Sequence, residues 1–97
     1  MTHKELQQLI EEECARLGHW RYASPIHRVY FPPRGWPDLV ILGSRSALFA
    51  ELKSADGRRT RQQVQVALRL RQAGLQYRLW RPEHWHDGTI ARELAEL

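Results

Sequence analysis

Apolar residues recur at three- and four-residue steps through the first stretch of the chain: Leu6, Leu9, Ile10, Cys14 and Leu17. This spacing predicts an amphipathic helix over 3–17, with Thr2 as N-cap and Gly18 where it stops. The pattern then changes. His19 to Ala23 is short and aromatic and reads as a first strand, whereas 24–36 is broken by Pro25, Pro32, Pro33 and Gly35. Leu39-Val40-Ile41-Leu42 is a continuous apolar run, as expected of a buried strand. Ala47 to Lys53 is a further strand after the turn Gly43-Ser44-Arg45-Ser46, and so short a connection makes the two an antiparallel hairpin. Thr60, with Gln63 three residues on, has the capping-box pattern and opens a helix to about Ala73, closed by Gly74. Gln76 to Trp80 alternates as a last strand, and Thr89 to Leu97 reads as a short final helix. Helix, three strands, helix, strand is the order of an α/β fold, a mixed sheet flanked by helices.

The hairpin concentrates chemistry. Side chains alternate across a strand, so Leu48, Ala50 and Leu52 share one face and Glu51 and Lys53 emerge together on the other. Asp38 opens the partner strand, directly after Pro37, and in a hairpin of this length it reaches the same small volume. Two carboxylates suit Mg²⁺, a hard cation that prefers oxygen ligands and keeps several waters; the carbonyl of Leu52 is a further candidate ligand. A lysine beside them suits an attacking water or charge developing on a phosphate. Glu-x-Lys alone is often a same-face ion pair, and Pro-Asp is a common turn. The combination points to phosphodiester hydrolysis.

Charge favours the same substrate class. Fifteen Lys and Arg face eleven Asp and Glu, a formal charge of +4 over 97 residues, and all but Lys4 and Lys53 of the basic residues are arginine. Between Gly57 and Pro82 there is no acidic residue, while Arg58, Arg59, Arg61, Arg69, Arg71, Arg78 and Arg81 all fall there. The guanidinium fork matches phosphate oxygens, so Arg58, Arg59 and Arg61 are candidate nucleic-acid contacts. Arg28 and Arg34, in the Pro-rich segment, are candidate phosphate clamps. A merely solvated face is the competing reading.

Length and cysteine content bound the rest. A chain this size is expected to form one domain and to bury only about 60–65% of its unfolded surface. The one cysteine, Cys14, has no internal partner, which fits a reducing cytoplasm. No run approaches the roughly 18 apolar residues of a membrane span, and no signal-peptide pattern opens the chain.

Taken in order, Gly35-Trp36-Pro37-Asp38-Leu39, Glu51-Leu52-Lys53, Gly57 and Thr60-x-x-Gln63 resemble the PD-(D/E)XK nuclease superfamily, and more narrowly its VRR-NUC family of small virus-type nucleases. The resemblance runs from the first helix to Trp80. It implies a restriction-endonuclease-like core, with Asp38 and Glu51 as metal ligands, Lys53 as catalytic lysine and Gln63 near the site. It also implies a glutamate from the first helix, and Glu5 is preferred over Glu11, Glu12 and Glu13. The implied activity is an Mg²⁺-dependent endonuclease, with Mn²⁺ as substitute, in a bacterium or phage-infected cell. Stand-alone members are expected to be homodimers, whose two sites would face two strands, as resolving a four-way (Holliday) junction requires.

Other signals are weaker. His84-Trp85-His86 lacks partners for a metal site, and His3, His19 and His27 form no ligand spacing. Trp20, Tyr22, Tyr30 and Trp36 are candidates to stack on unpaired bases; Tyr30 and Trp36, beside Asp38, are the best placed. Ile90, Leu94 and Leu97 either finish the core or form a dimer surface. Two other classes fit the composition: a non-cleaving nucleic-acid-binding module, and an interaction subunit whose arginines meet an acidic protein.

Overall fold

The structure, a computed structural model, describes residues 1–24 and 34–97. Arg28, Tyr30 and His27 lie outside the described residues. Two helices begin at reciprocal caps. Thr2 Oγ1 accepts the Glu5 N–H (3.1 Å) while the Glu5 carboxylate accepts the Thr2 N–H (3.0 Å), opening α1 (His3–Leu17). Thr60 and Gln63 do the same for α2 (Arg61–Gln72), at 3.1 and 2.8 Å. Each such pair satisfies two N–H groups that a helix end leaves open.

Four strands form one sheet: β1 (Trp20–Ala23), β2 (Leu39–Leu42), β3 (Ala47–Leu52) and β4 (Gln76–Trp80), in that spatial order. The β1/β2 and β2/β3 pairs are antiparallel and β3/β4 is parallel. A parallel neighbour needs a crossover, and α2 supplies it. Two short helices close the chain, α3 (Pro82–His86) and α4 (Thr89–Ala95). The sequence pattern contains no sign of α3. It is five residues long, too short for a periodicity, and starts at Pro82, the residue taken as the end of the last strand. Its first turn is capped from within, the Arg81 N–H donating to His84 Nδ1 at 2.9 Å, so that histidine serves the helix.

Alternation along the strands divides the core. Leu39 and Ile41 of β2, Leu48, Ala50 and Leu52 of β3, and Trp80 of β4 pack with Leu6, Ile10 and Cys14 of α1 and with Ile90, Leu94 and Leu97. Ile90, Leu94 and Leu97 therefore finish the core and are not a dimer surface. Burial pushes the Cys14 thiol up to about 11, which makes it inert as a nucleophile. The other face is thinner: Val66, Ala67 and Leu70 of α2 meet Tyr77, with Phe49 and Leu79 at the margin. A Cβ on Gly43 would sit 2.4 Å from the Leu97 carbonyl oxygen, which accepts the Arg45 and Ser46 N–H groups; only glycine lets the chain end dock on the hairpin. Among the described residues no helix is long and apolar enough to cross a membrane.

Candidate active site

Leu39 lies opposite Ala50 in the β2/β3 register, and one step further Asp38 comes opposite Glu51. The Asp38 carboxylate accepts the Leu52 N–H at 2.8 Å, which ties it to the end of β3. Its backbone is fixed from the other side, since the Ser24 N–H donates to the Asp38 carbonyl (2.8 Å) and the Ser24 hydroxyl to that of Pro37 (2.8 Å). Glu51 is only 2% exposed, the one charged side chain in the buried set among the described residues. Its Oε1 accepts the Gln63 side-chain N–H at 3.1 Å, while Oε2 is buried with no hydrogen-bond partner.

Burying two adjacent carboxyls separates their acidities. Burial, and then the neighbouring Asp38, push the Glu51 carboxyl up to about 9. Burial acts on Asp38 in the same sense, but the His3 imidazole, the adjoining Glu51 carboxyl and the Leu52 N–H outweigh it and hold Asp38 below its ordinary range. Lys53 follows Leu52, its N–H donating to the Trp80 carbonyl at 3.0 Å, and its charge reaches both Glu51 and His3.

Gln63 does two things at once. Its carbonyl oxygen caps α2 and its amide nitrogen holds Glu51. Glu5, in contrast, is exposed and engaged in the α1 cap. The residue of α1 that reaches the site is His3, whose Nε2 lies 3.4 Å from Asp38 Oδ2; that contact raises the His3 pKa. Two residues along a helix correspond to about 200°, so with His3 turned to the site Glu5 points away. Glu11, Glu12 and Glu13 pair instead with Arg21, Gln8 and Arg16 on the surface. His3 had a detectable sequence signal, because Leu6 and Ile10 share its face at three and seven residues.

The arginines also divide. Arg71 lies over the Tyr77 ring at 5.1 Å, Arg78 pairs with Glu93, and Arg81 donates to the carbonyls of Ser54 and Gly57 at 2.7 Å each. These three brace the fold, and Arg81 in particular fixes the turn after Lys53. Arg34, Arg58, Arg61 and Arg69 are exposed. Arg59 is half-buried, with its charge felt at Glu51 and Tyr77.

A solved structure described as a VRR_NUC domain superimposes with a TM-score of 0.68 at 22% identity, over 79% of this chain and 81% of that one. The chain has a VRR_NUC fold. No protein-family model and no curated protein matches it. In the VRR_NUC fold seen here the Asp38 and Glu51 carboxyls stand opposite each other across β2 and β3, with the His3 imidazole 3.4 Å from Asp38. Among the described residues no three His, Cys, Asp or Glu side chains form a ready cage. A closed zinc site needs such a cage, whereas a hydrated Mg²⁺ is held by one or two carboxylates. The partnerless Glu51 Oε2 beside Asp38 fits that requirement.

Proposed function

We propose that this protein is a metal-dependent, structure-selective DNA endonuclease, hydrolysing phosphodiester bonds at Asp38, Glu51 and Lys53. The observation that carries this reading is Glu51: a buried carboxyl with one oxygen unpartnered, next to a second carboxyl and in the field of a lysine. A group so placed costs stability in the metal-free protein, and such costs concentrate where chemistry is done.

Asp38, Glu51 and the Leu52 carbonyl would hold Mg²⁺, with Mn²⁺ as substitute. When bound, the metal supplies Lewis-acid polarisation of a phosphate oxygen and a more acidic water. Lys53, whose charge is felt at Glu51, would stabilise charge gathering on the phosphate. Gln63 keeps Glu51 oriented, and His3 keeps Asp38 ionised. Arg34, Arg58, Arg59 and Arg61 attract the DNA backbone, so binding weakens steeply with salt. A homodimer acting on four-way junctions is the preferred assembly. It is supported by the β1–β2 face, where Trp20 (75% exposed) stands opposite the exposed Leu42 and no helix among the described residues covers them.

Labelled four-way junction, duplex and single-stranded DNA, each with Mg²⁺, Mn²⁺ or EDTA, test the proposal beside Asp38→Ala and Lys53→Ala. Cutting that needs metal and disappears in both variants is expected. DNA bound but never cut would make the chain a binding module. DNA neither bound nor cut would turn the search to acidic protein partners.

A further inference from the structure

Between α2 and the Arg34–Trp36 turn lies a groove of about 680 Å³, within the roughly 300–1,000 Å³ of small-ligand sites. One wall is α2. Gln62, Gln65 and Arg69 recur along it at three- and four-residue steps, and Leu68, 55% exposed, stands among them. The other wall is Arg34 and Trp36. Trp36 is 36% exposed, its ring held edge-on against Phe49 with centroids 5.9 Å apart. Gly35 locks the walls together. Its φ is 86°, and a Cβ there would lie 2.5 Å from the backbone of Gln62 and Gln63, so the Arg34–Trp36 turn rests directly on the first turn of α2.

The groove and the carboxylates share two short pieces of chain. Trp36 stands two residues before Asp38, and Gln62 is adjacent to Gln63, which holds Glu51. Among the described residues its lining contains two arginines and no acid. An aromatic ring, amide side chains and guanidinium groups are the side chains that receive a splayed-out nucleotide: stacking on its π-face, hydrogen bonds to its base edge, charge on its phosphates.

We infer that this groove binds an unpaired nucleotide of the DNA strand to be cut, with Trp36 stacking on the base and Arg34 and Arg69 facing phosphates. The inference rests on the nuclease reading above and deepens it. A base seated between Trp36 and α2 would run its strand past the segments that carry Asp38 and the Glu51-holding Gln63. The enzyme would then select DNA by the presence of unpaired nucleotides at a flap, fork or opened branch point.

Binding separates this inference from catalysis. A Lys53→Ala protein in EDTA is titrated, by anisotropy, with blunt duplex and with the same duplex carrying a single-stranded flap that contains 2-aminopurine at its first unpaired position. Preferential flap binding with 2-aminopurine quenched by stacking is expected. Adding Trp36→Ala should weaken flap binding by about five- to a hundred-fold, the range for loss of one base–aromatic stack, and abolish the quenching. Duplex affinity should change by less than about twofold, and Trp36→Phe should restore the preference. Arg69→Ala, on the exposed side of α2, should weaken flap binding several-fold without touching the fold. It carries the test together with Trp36→Phe if circular dichroism shows Trp36→Ala unfolded. Equal weakening on both DNAs, or no quenching in the Lys53→Ala parent, overturns the inference. So does a change of oligomeric state in Arg69→Ala with flap preference intact, since the groove then belongs to a second copy. Flap binding and quenching in a wild-type protein that cuts nothing with any metal supports the groove and sinks the nuclease reading instead.

Discussion

On the side of the sheet covered by α1 and α4, every inward position of β2 and β3 is apolar and closed: Leu39, Ile41, Leu48, Ala50 and Leu52. On the side of α2, the same two strands carry Val40, Leu42, Phe49 and Glu51, and α2 covers only part of them. One face is close-packed around a buried apolar core. The other has a small core of four buried residues, an unpartnered carboxyl oxygen and an open groove. A small chain can keep a costly site in this way: stability comes from the first face, and the second is free to hold groups that stability alone would remove. The carboxylates lie at the end of the sheet where the faces meet, which is why His3 of α1 and Gln63 of α2 both reach them.

The comparison breaks first, and most heavily, at the closed face. Ile41→Ala should cost about 2–5 kcal/mol by denaturant unfolding, a large share of the roughly 5–15 kcal/mol such domains possess. Cleavage per folded molecule should stay near wild type; a rate that falls with it would mean the faces are not independent. Lys53→Ala should do the reverse, lowering the single-turnover rate by at least about a hundred-fold, worth roughly 2.7 kcal/mol or more, with unfolding little changed.

A subtler test uses pH. Folded, metal-free protein keeps a proton on Glu51 up to about pH 9, whereas an ordinary glutamate loses it near 4.5. Between those values the folded state binds more protons than the unfolded one, so this carboxyl's contribution to stability is full below the lower value and falls as pH rises through the window. Glu51→Gln should flatten that decline in the melting temperature measured in EDTA. An unchanged slope would remove the buried acid from the account. Smallest is the cap: Thr60→Ala should cost about 1 kcal/mol, and by loosening Gln63 it should also reduce cleavage. A stability loss with full activity would leave Gln63 a capping residue only.

Much of this architecture was legible in the residues. The bounds of α1, β2 and β4 follow from apolar spacing and caps, and the opposition of Asp38 to Glu51 follows from a short turn and strand alternation. Other parts were not. Glu5 closes the α1 cap while His3 meets Asp38, because the turn of a helix that touches a strand end depends on its packing. The Arg58–Arg81 run read as one basic stretch, but Arg71, Arg78 and Arg81 are engaged by Tyr77, Glu93 and the Ser54–Gly57 turn. Those partners are up to 27 residues away, and no local pattern announces them.

Local rules, legible along the chain, govern which residues form each element, which face of β3 carries Glu51 and Lys53, and that a hairpin brings Asp38 to them. Long-range packing sets how deeply Glu51 is buried, which helix residue attends Asp38, which arginines remain for a ligand, and that Gly35 seats Trp36 against α2 to make a groove. Alternation and capping act over two to four residues and can be read along the chain. Burial and charge pairing depend on which elements pack together, and that is settled by the core as a whole.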